Sequence, residues 1–527
     1  MSAIVRVQPA KIARQSQGAA LHEIQKLNFV ERTIAYFAPQ IAFRRLQART
    51  ALALTLRHYD GASTGRRTSG WRKNATDANA STQGTLQTLR GVCRDLVRNS
   101  GWARKGVQVI GNNVVGWGIQ PRFKSKEVTA IWKKWAGTTK CHLRGRKTFY
   151  GLQRLAIDTV VQSGECLVIR HRTDAQIRGH RFPLQLDVLE ADYIDSNKEM
   201  FRGQSKDGNV IIQGVEIDSK GRRVAYWLHD AHPGSNLLSG YTSRRVDAKD
   251  VLHIMREDRP GQLRGIPWFA PVVVKLHDFD DYEDAVLMRQ KIAACFTAFV
   301  TNMEGTAQKI GPDGTVETSD AIDGLEPGMV HYLNDGESVE FASPPTVTDN
   351  DSFARTTQRG IAAGIGVTYE DLTGDYSNVN FSSARMSRLA HQGNVHDWRW
   401  NMLIPLMCDP SIDWFMEAAT FAGLVPQDFD DTVLWTPPPM PMIDPEKEGL
   451  AFKRNLRSGL ITFDEMILGQ GNDPEEHWDT YASGLAELDR RKITLDSDAR
   501  RTSEQGQAQE TNAAQPAKKK SSKAPET

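Results

Sequence analysis

The chain has 527 residues, 39% apolar and 25% charged, and its 66 Lys/Arg nearly balance 64 Asp/Glu. Such a chain is neither disordered nor one small domain; it predicts roughly two to four folded units around more than one apolar core. Five widely spaced cysteines (Cys93, Cys141, Cys166, Cys295, Cys408) without a C-x-x-C pair exclude a disulfide framework and a thiolate zinc site, and no apolar run reaches the roughly 18 to 20 residues that span a bilayer, so the expectation is a soluble protein made in the cytoplasm, with no membrane partner.

Residues 1–40 carry scattered charge and few apolar residues and predict an arm that orders on assembly. From Gln40 to Ile110 thirteen Lys/Arg face three Asp, whereas from Val300 to Asn350 ten acids face Lys309 alone. Separated signs at balanced total charge suit a self-assembling body with oriented surfaces better than a DNA-coating protein. Leu86, Leu89, Val92, Leu96 and Val97 share one face of a helix that Asn99-Ser100-Gly101 breaks; a second helix follows, and "GWGIQP" turns into extended chain. The alternating segments "FPLQLDVLEADYID" and "NVIIQGVEIDSKGRRVAYWLHD", with Asp218 to Gly221 as a hairpin turn, make the middle region a sheet.

After Pro271, the stripe Val272, Leu276, Phe279, Val286 and Ala293 predicts a helix of about 28 residues, roughly 40 Å long. Asp280, Asp281 and Asp284 fall together on a different face. Short strands and turns follow over 301–350. A second helix begins with Asp351 or Ser352 as N-cap and places Phe353, Thr357, Ile361 and Ile365 on one face. The polar stretch "GVTYEDLTGDYSNVNFSSAR" then leads to a third helix, starting at Ser382 or Ser383, running through Leu389, Val395, Trp398 and Met402, and stopped by Pro405. A proline-rich joint at 435–448 precedes three short helices, two closed by Gly, and the tail lacks the apolar residues needed to order itself.

No catalytic constellation emerges. "GIAAGIG" (Gly360 to Gly366) ends a helix instead of following a strand and lacks the Lys-Ser/Thr of a phosphate loop, so close helix packing explains it better. Asp187, Glu190, Asp192 and Asp195, with Lys198 behind them, would hold Mg²⁺ for a nuclease only if they converged, which a β segment opposes. His391 and His396 are one residue too far apart to share a helical face, and 85–110 also fits a helix-turn-helix. Neither a metal nor a cofactor is expected, and the chain reads as no enzyme.

The phrases "NNVVGWGIQP", "LQRLAIDTVVQSGECLV", "RPGQLRGIPWFAPVV", "DYEDAVLMRQKIAACFTAFV", "GIGVTYEDLTGDYSNVNFSSAR" and "IDPEKEGLAFKRNLRSG" resemble, in order, the lambda-type portal proteins of tailed bacteriophages, from about residue 30 to 485. The resemblance implies an α+β portal fold: an arm at 1–40, a mixed helix/sheet wing at 41–270, stem helices at 271–300 and 351–367 flanking a small clip at 301–350, a tunnel loop at 368–381, a long kinked wing helix and return at 382–443, a helical crown at 444–492 and a disordered tail at 493–527. It implies a homododecamer at one capsid vertex that passes double-stranded DNA without reading its sequence. Implied partners are the terminase large subunit, a neck or head-tail connector protein, and the major capsid and scaffold proteins; a metal-dependent nuclease and a channel-less capsid protein are the alternatives. Tyr369, Asp371, Asp375, Tyr376, Ser377, Asn378 and Asn380 are the implied DNA-channel loop residues. Asp280, Asp281 and Asp284 either repel phosphates from the channel wall over a Debye length of about 8 Å or form a solvated outer face or inter-subunit pairs with Arg289 and Lys291.

Overall fold

The computed structural model describes residues 75–173, 182–201, 208–235, 242–295, 350–426, 433–439 and 444–495, the backbone of short strands within 299–340, and isolated positions between and after them. Contacts divide the chain into Met1–Thr76 and Asp77–Thr527. The expected arm and the start of the expected wing lie outside the described residues, as does the tail from 502 on.

The second unit begins with α1 (Ala78–Thr82), α2 (Leu86–Asn99) and α3 (Gly101–Val114), the last two separated by an extended Ser100 at φ −94°, ψ 124°. The buried face of α2 is Leu86, Arg90, Cys93, Leu96 and Val97. Val92, expected inside, is 40% exposed, because a 3.6-residue period through Cys93 turns it outward. After β1 (Gln120–Arg122) come α4 (Lys126–Ala136), capped by Ser125, and α5 (Phe149–Ser163), capped by Thr148 and closed by Gly164 at φ +88°.

The middle region forms two antiparallel sheets rather than one. Its strands are β2 (Glu165–Arg172), β3 (Leu184–Glu190), β4 (Val210–Ile212), β5 (Val215–Ile217), β6 (Arg223–His229), β7 (Ser243–Asp247) and β8 (Val251–Met255). One sheet has the order β3-β2-β8 and the other β4-β5-β6-β7. The hairpin between β5 and β6 turns where expected, with Gly221 at φ +82° and Asp218 accepting from the amides of Lys220 and Arg222. Alternation along β2 separates two cores: Cys166 and Val168 join the large helical core, while Leu167 and Ile169 pack with Val215, Tyr226, Leu228 and Val251 between the sheets.

Residues 273–295 form α6 (Val273–Cys295), shorter than the expected span. The backbone of the expected clip is described only as two strand pairs, β9 (Phe299–Asn302) with β12 (Glu337–Glu340) and β10 (Lys309–Ile310) with β11 (Val316–Glu317); the rest of 301–350 lies outside the described residues up to α7 (Asn350–Ile365). Asp351 and Ser352 therefore lie in the first turn of α7 and do not cap it; Asp351 pairs with Arg355 instead. After α8 (Tyr369–Thr373), α9 (Phe381–Asp397) starts at Phe381, not at Ser382 or Ser383, and leaves Leu389 51% exposed.

Pro405 does not stop this helix. Trp398–Cys408 is π-helical and passes directly into α10 (Asp409–Phe421). In an α-helix a proline ring meets the carbonyl four residues back; the wider turn moves that carbonyl one position along, so the rod continues for roughly 60 Å at about 1.5 Å per residue. Arg399, buried at the start of the wide turns, donates to the carbonyls of Val114 (2.7 Å) and Asn113 (2.6 Å), closing the C-terminal end of α3. Phe415 of α10 meets Trp132 at 4.9 Å and Trp135 at 5.5 Å between ring centroids. β13 (Leu434–Thr436) returns to pair with β1. The three short helices expected at the C-terminal end are α11 (Pro445–Arg457), α12 (Phe463–Gly469) and α13 (Pro474–Arg491); Gly459 and Gly471, at φ +72° and +78°, follow the first two.

One charged cluster fastens these elements together. Glu165, the first residue of β2, is fully buried and accepts from Arg90 of α2, from Arg264 Nε at 2.7 Å, from the Gly265 amide at 2.6 Å and from His253 Nε2 of β8 at 2.9 Å. Burial alone would raise the carboxyl pKa, but Arg264 and Arg90 outweigh it and hold the group well below the usual range, while desolvation pulls the Arg90 guanidinium down to about 10. The close approach requires glycine on both chains: a Cβ on Gly265 would lie 2.2 Å from the Gly164 carbonyl oxygen, and one on Gly164 would lie 2.5 Å from that of Gly265. Glu165→Gln removes the charge that both guanidiniums share, and is expected to cost about 3–5 kcal/mol. Denaturant unfolding of the full chain measures this; an unchanged midpoint would show that the cluster is not what holds the sheet to the helices.

Candidate functional site in the segment 366–381

The segment is carried by two antiparallel helices. Gly364 of α7 lies so close to Val272, just before α6, that a Cβ would sit 2.2 Å from Val272 Cγ1, and one on Gly360 would meet Lys275 Nζ at 2.6 Å. "GIAAGIG" is thus a close-packing surface. At the other end Tyr282 donates to Asn350 Oδ1 at 2.8 Å and packs on Phe353 at 4.6 Å. Val272, Leu276 and Phe279 are buried by this pairing, but Val286 is only partly covered and Leu287 and Met288 are more than half exposed. The reason is that α7 starts level with Tyr282, so α6 loses its α7 neighbour beyond that point.

α7 closes at Gly366 (φ +91°), whose amide donates to Ala362 O at 2.9 Å. The next residues, expected as a loop, begin with the helix α8. Thr368 Oγ1 accepts from the Asp371 amide at 3.1 Å, Leu372 is buried, and Gly374 at φ +71° ends the helix. Asp375 then organises the remainder. Its carboxylate accepts from Ser377 N (3.0 Å) and Oγ (2.5 Å) and from the Tyr369 hydroxyl (3.0 Å). Those bonds, Ser377 first, pull its pKa down to about 2. Asn380 caps α9 reciprocally with Ser383: Asn380 Oδ1 accepts from Ser383 N at 2.8 Å, and Asn380 N donates to Ser383 Oγ at 3.1 Å. Of the seven loop residues singled out from the sequence, Tyr369, Asp375, Ser377 and Asn380 hold the loop together and Asp371 lies in the first turn of α8. Tyr376 (61% exposed) and Asn378 face solvent. The cap patterns Thr368-x-x-Asp371 and Asn380-x-x-Ser383 carried this signal in the sequence.

Beneath α8 lies a residue whose setting the sequence did not reveal. His391 of α9 is 4% exposed and packs edge-on against Trp398 at 6.2 Å, and its ring nitrogens have no well-aligned hydrogen bond, the Gly366 backbone being only a weak partner. Burial holds its pKa below the usual histidine value against the opposing charge of Asp371. His396, by contrast, is exposed on another face.

The acidic trio of α6 is divided between an internal junction and solvent. Asp280 is half-buried and accepts from Ser100 Oγ at 3.2 Å, with burial raising its pKa; Glu283 beside it accepts from Trp102 Nε1 at 3.0 Å. Asp281 and Asp284 are exposed, Asp281 lying 3.2 Å from His277 Nδ1. Of the carboxylates weighed for a nuclease, Glu190 and Asp192 come together but Asp187 and Asp195 are engaged elsewhere. Asp187 pairs with Arg144 at 3.1 Å, Asp195 accepts from Ser243 at 2.7 Å, and Lys198 covers the Trp227 ring at 4.3 Å. Only Glu190, Asp192 and His232, among the described residues, bring three ligand atoms within 4.8 Å. There Arg94 already bridges both carboxylates, and His232 Nδ1 accepts from the Gly234 amide at 3.0 Å, which leaves the ring proton on the Nε2 that faces Glu190. The set therefore suits a guanidinium and not a metal ion.

Residues 64–399 match the family model described as phage portal protein, lambda family. A probable portal protein of Halomonas phage phiHAP-1 is 26% identical over 452 residues, 80% of this chain and 84% of that one. The portal protein of Escherichia phage N15 is 24% identical over 373 residues, 63% of this chain and 69% of that one. Among solved structures, a chain from the neck of an empty GTA particle aligns with 75% of this chain and 98% of its own, at 14% identity and a TM-score of 0.45.

The buried imidazole gives a test of how the loop is seated. His391→Leu removes ring nitrogens that are poorly satisfied in the fold and is expected to stabilise the protein by about 1 kcal/mol. The unfolded imidazole takes up a proton below about pH 6.5, where the native one does not, so stability through His391 is full above that pH and lost as pH falls. Thermal midpoints between pH 8 and pH 5 check both effects: a leucine variant less stable at pH 8, or with an unchanged pH slope, would contradict this account.

Proposed function

We propose, from the premise that this chain belongs to the lambda family of phage portal proteins, that it assembles into a homododecameric ring at one capsid vertex and forms the channel through which double-stranded DNA is packaged and later ejected. The terminase large subunit docks during packaging, in the host cytoplasm, and a neck protein replaces it in the virion. The chain contributes structure and carries out no chemistry of its own. In this assembly 41–270 is the wing, α6 and α7 are the stem, 301–350 is the clip, 382–443 crosses and returns to the wing, and α11 to α13 are the crown.

The observation that carries the proposal is the build of 366–381. It holds no Lys or Arg, its polar groups are largely consumed in holding its own shape, and it leaves Tyr376 and Asn378 facing out. Such a surface touches a sugar-phosphate backbone without releasing its counterions and without reading base edges, which is what indifferent transport needs. The exposed Asp281 and Asp284 add repulsion along the stem, whereas Asp280 serves the junction of α2 and α3.

Two measurements test this. Tyr376→Ala with Asn378→Ala, which spares the Asn380 cap, is expected to leave ring assembly intact and to weaken DNA retention in filled heads; loss of the ring would make the loop structural. Asp281→Lys with Asp284→Lys should slow packaging several-fold by adding counterion-releasing contacts. Packaging at the normal rate would refute the repulsive wall.

A further inference from the structure

Arg355 of α7 faces two carboxylates. Its Nε donates to Asp351 Oδ1, one turn back in the same helix, at 2.9 Å, and its Nη2 lies 3.9 Å from Asp375 Oδ2 in the loop. One turn further on, the Arg359 guanidinium lies 5.4 Å from the centre of the Tyr369 ring, and the Tyr369 hydroxyl donates to that same Asp375 oxygen. Two arginines four residues apart on α7 thus address two residues that are bonded to each other.

We infer that Arg355 is a positioning residue exchanged between Asp351 and Asp375, and that this exchange sets how firmly the loop is held against α7; the inference rests on the loop being the part that meets DNA. The exchange is cheap in both directions. When the loop swings out, Asp375 keeps its bonds from Ser377 and Tyr369, and Arg355 keeps Asp351, so neither charge is stranded. Asp351 is 76% exposed and Arg355 30% exposed, which lets the guanidinium turn between its partners without crossing packed side chains.

Hydrogen exchange of the purified full-length protein tests the exchange of partners without DNA. The amides of Asp375 and Ser377 are bonded within the loop, to Thr373 Oγ1 at 3.1 Å and Asp375 Oδ1 at 3.0 Å, and report its state. Arg355→Ala should speed exchange at 375–379 about two- to fivefold, the range for a solvent-facing ion pair, with 358–365 unchanged. Asp351→Ala should slow it, since the guanidinium then has Asp375 alone, and Arg355→Lys should fall between wild type and Arg355→Ala. Unchanged loop exchange in Arg355→Ala, or acceleration in Asp351→Ala as well, would overturn the inference, the latter by showing that the Arg355 and Asp351 pair only supports the helix. A variant with shifted exchange but normal DNA retention in filled heads would refute the channel reading of the loop and leave the positioning role standing.

Discussion

The architecture depends on one carboxylate taken out of water. Glu165 opens β2 at the point where α5 ends, and it is met there by a guanidinium from α2, another from the segment before α6, an imidazole from β8 and a backbone amide. A buried charge is tolerable only when every lone pair is answered, so these four chain segments are fixed relative to one another. The crossing of Gly164 and Gly265 permits the approach, and it also sets where the chain emerges toward α6. From there the order of constraint is linear: the start of α6 seats Val272 against Gly364, α7 is thereby placed, and the turn at Gly366 delivers α8 and the loop.

Much of this was legible in the sequence, and the exceptions share a cause. Helices with one apolar stripe, such as α2 and the first half of α6, and the hairpin at Asp218 to Gly221, declare themselves through local spacing. Arg90, Glu165 and Arg264 do not. Each looks like a surface residue, and only the tertiary fold, which brings positions 90, 165 and 264 together, makes them interior. Pro405 misled for a related reason: the rule that proline ends a helix assumes α-helical turns, and the wider turns from Trp398 relax it. The outer half of the α6 stripe is patterned for burial, yet its helical neighbour starts only at Asn350.

The segment between α7 and α9 was legible in place but not in build. Glycine, aspartate, asparagine and serine between two helical patterns located the loop, because those residues favour turns. The same residue types bind ligands and bind their own backbone, and spacing alone does not distinguish the two uses. Asp375 with Ser377, and Asn380 with Ser383, turned out to be local bonds. The helix α8 was hidden by its five-residue length, too short for periodicity, although Thr368 and Gly374 bracket it with a start and a stop. Asp280 likewise belongs to a helix whose acidic side is divided between an internal junction and solvent.

The contact of Tyr282 with Asn350 closes the body on itself, and α6 carries on for about 20 Å past it at 1.5 Å per residue. On that stretch Leu287 and Met288 are more than half exposed and contribute little to the packing below. Evolution is consequently free to rewrite those two positions when a new docking companion demands it, while the glycines and aromatic rings beneath stay put.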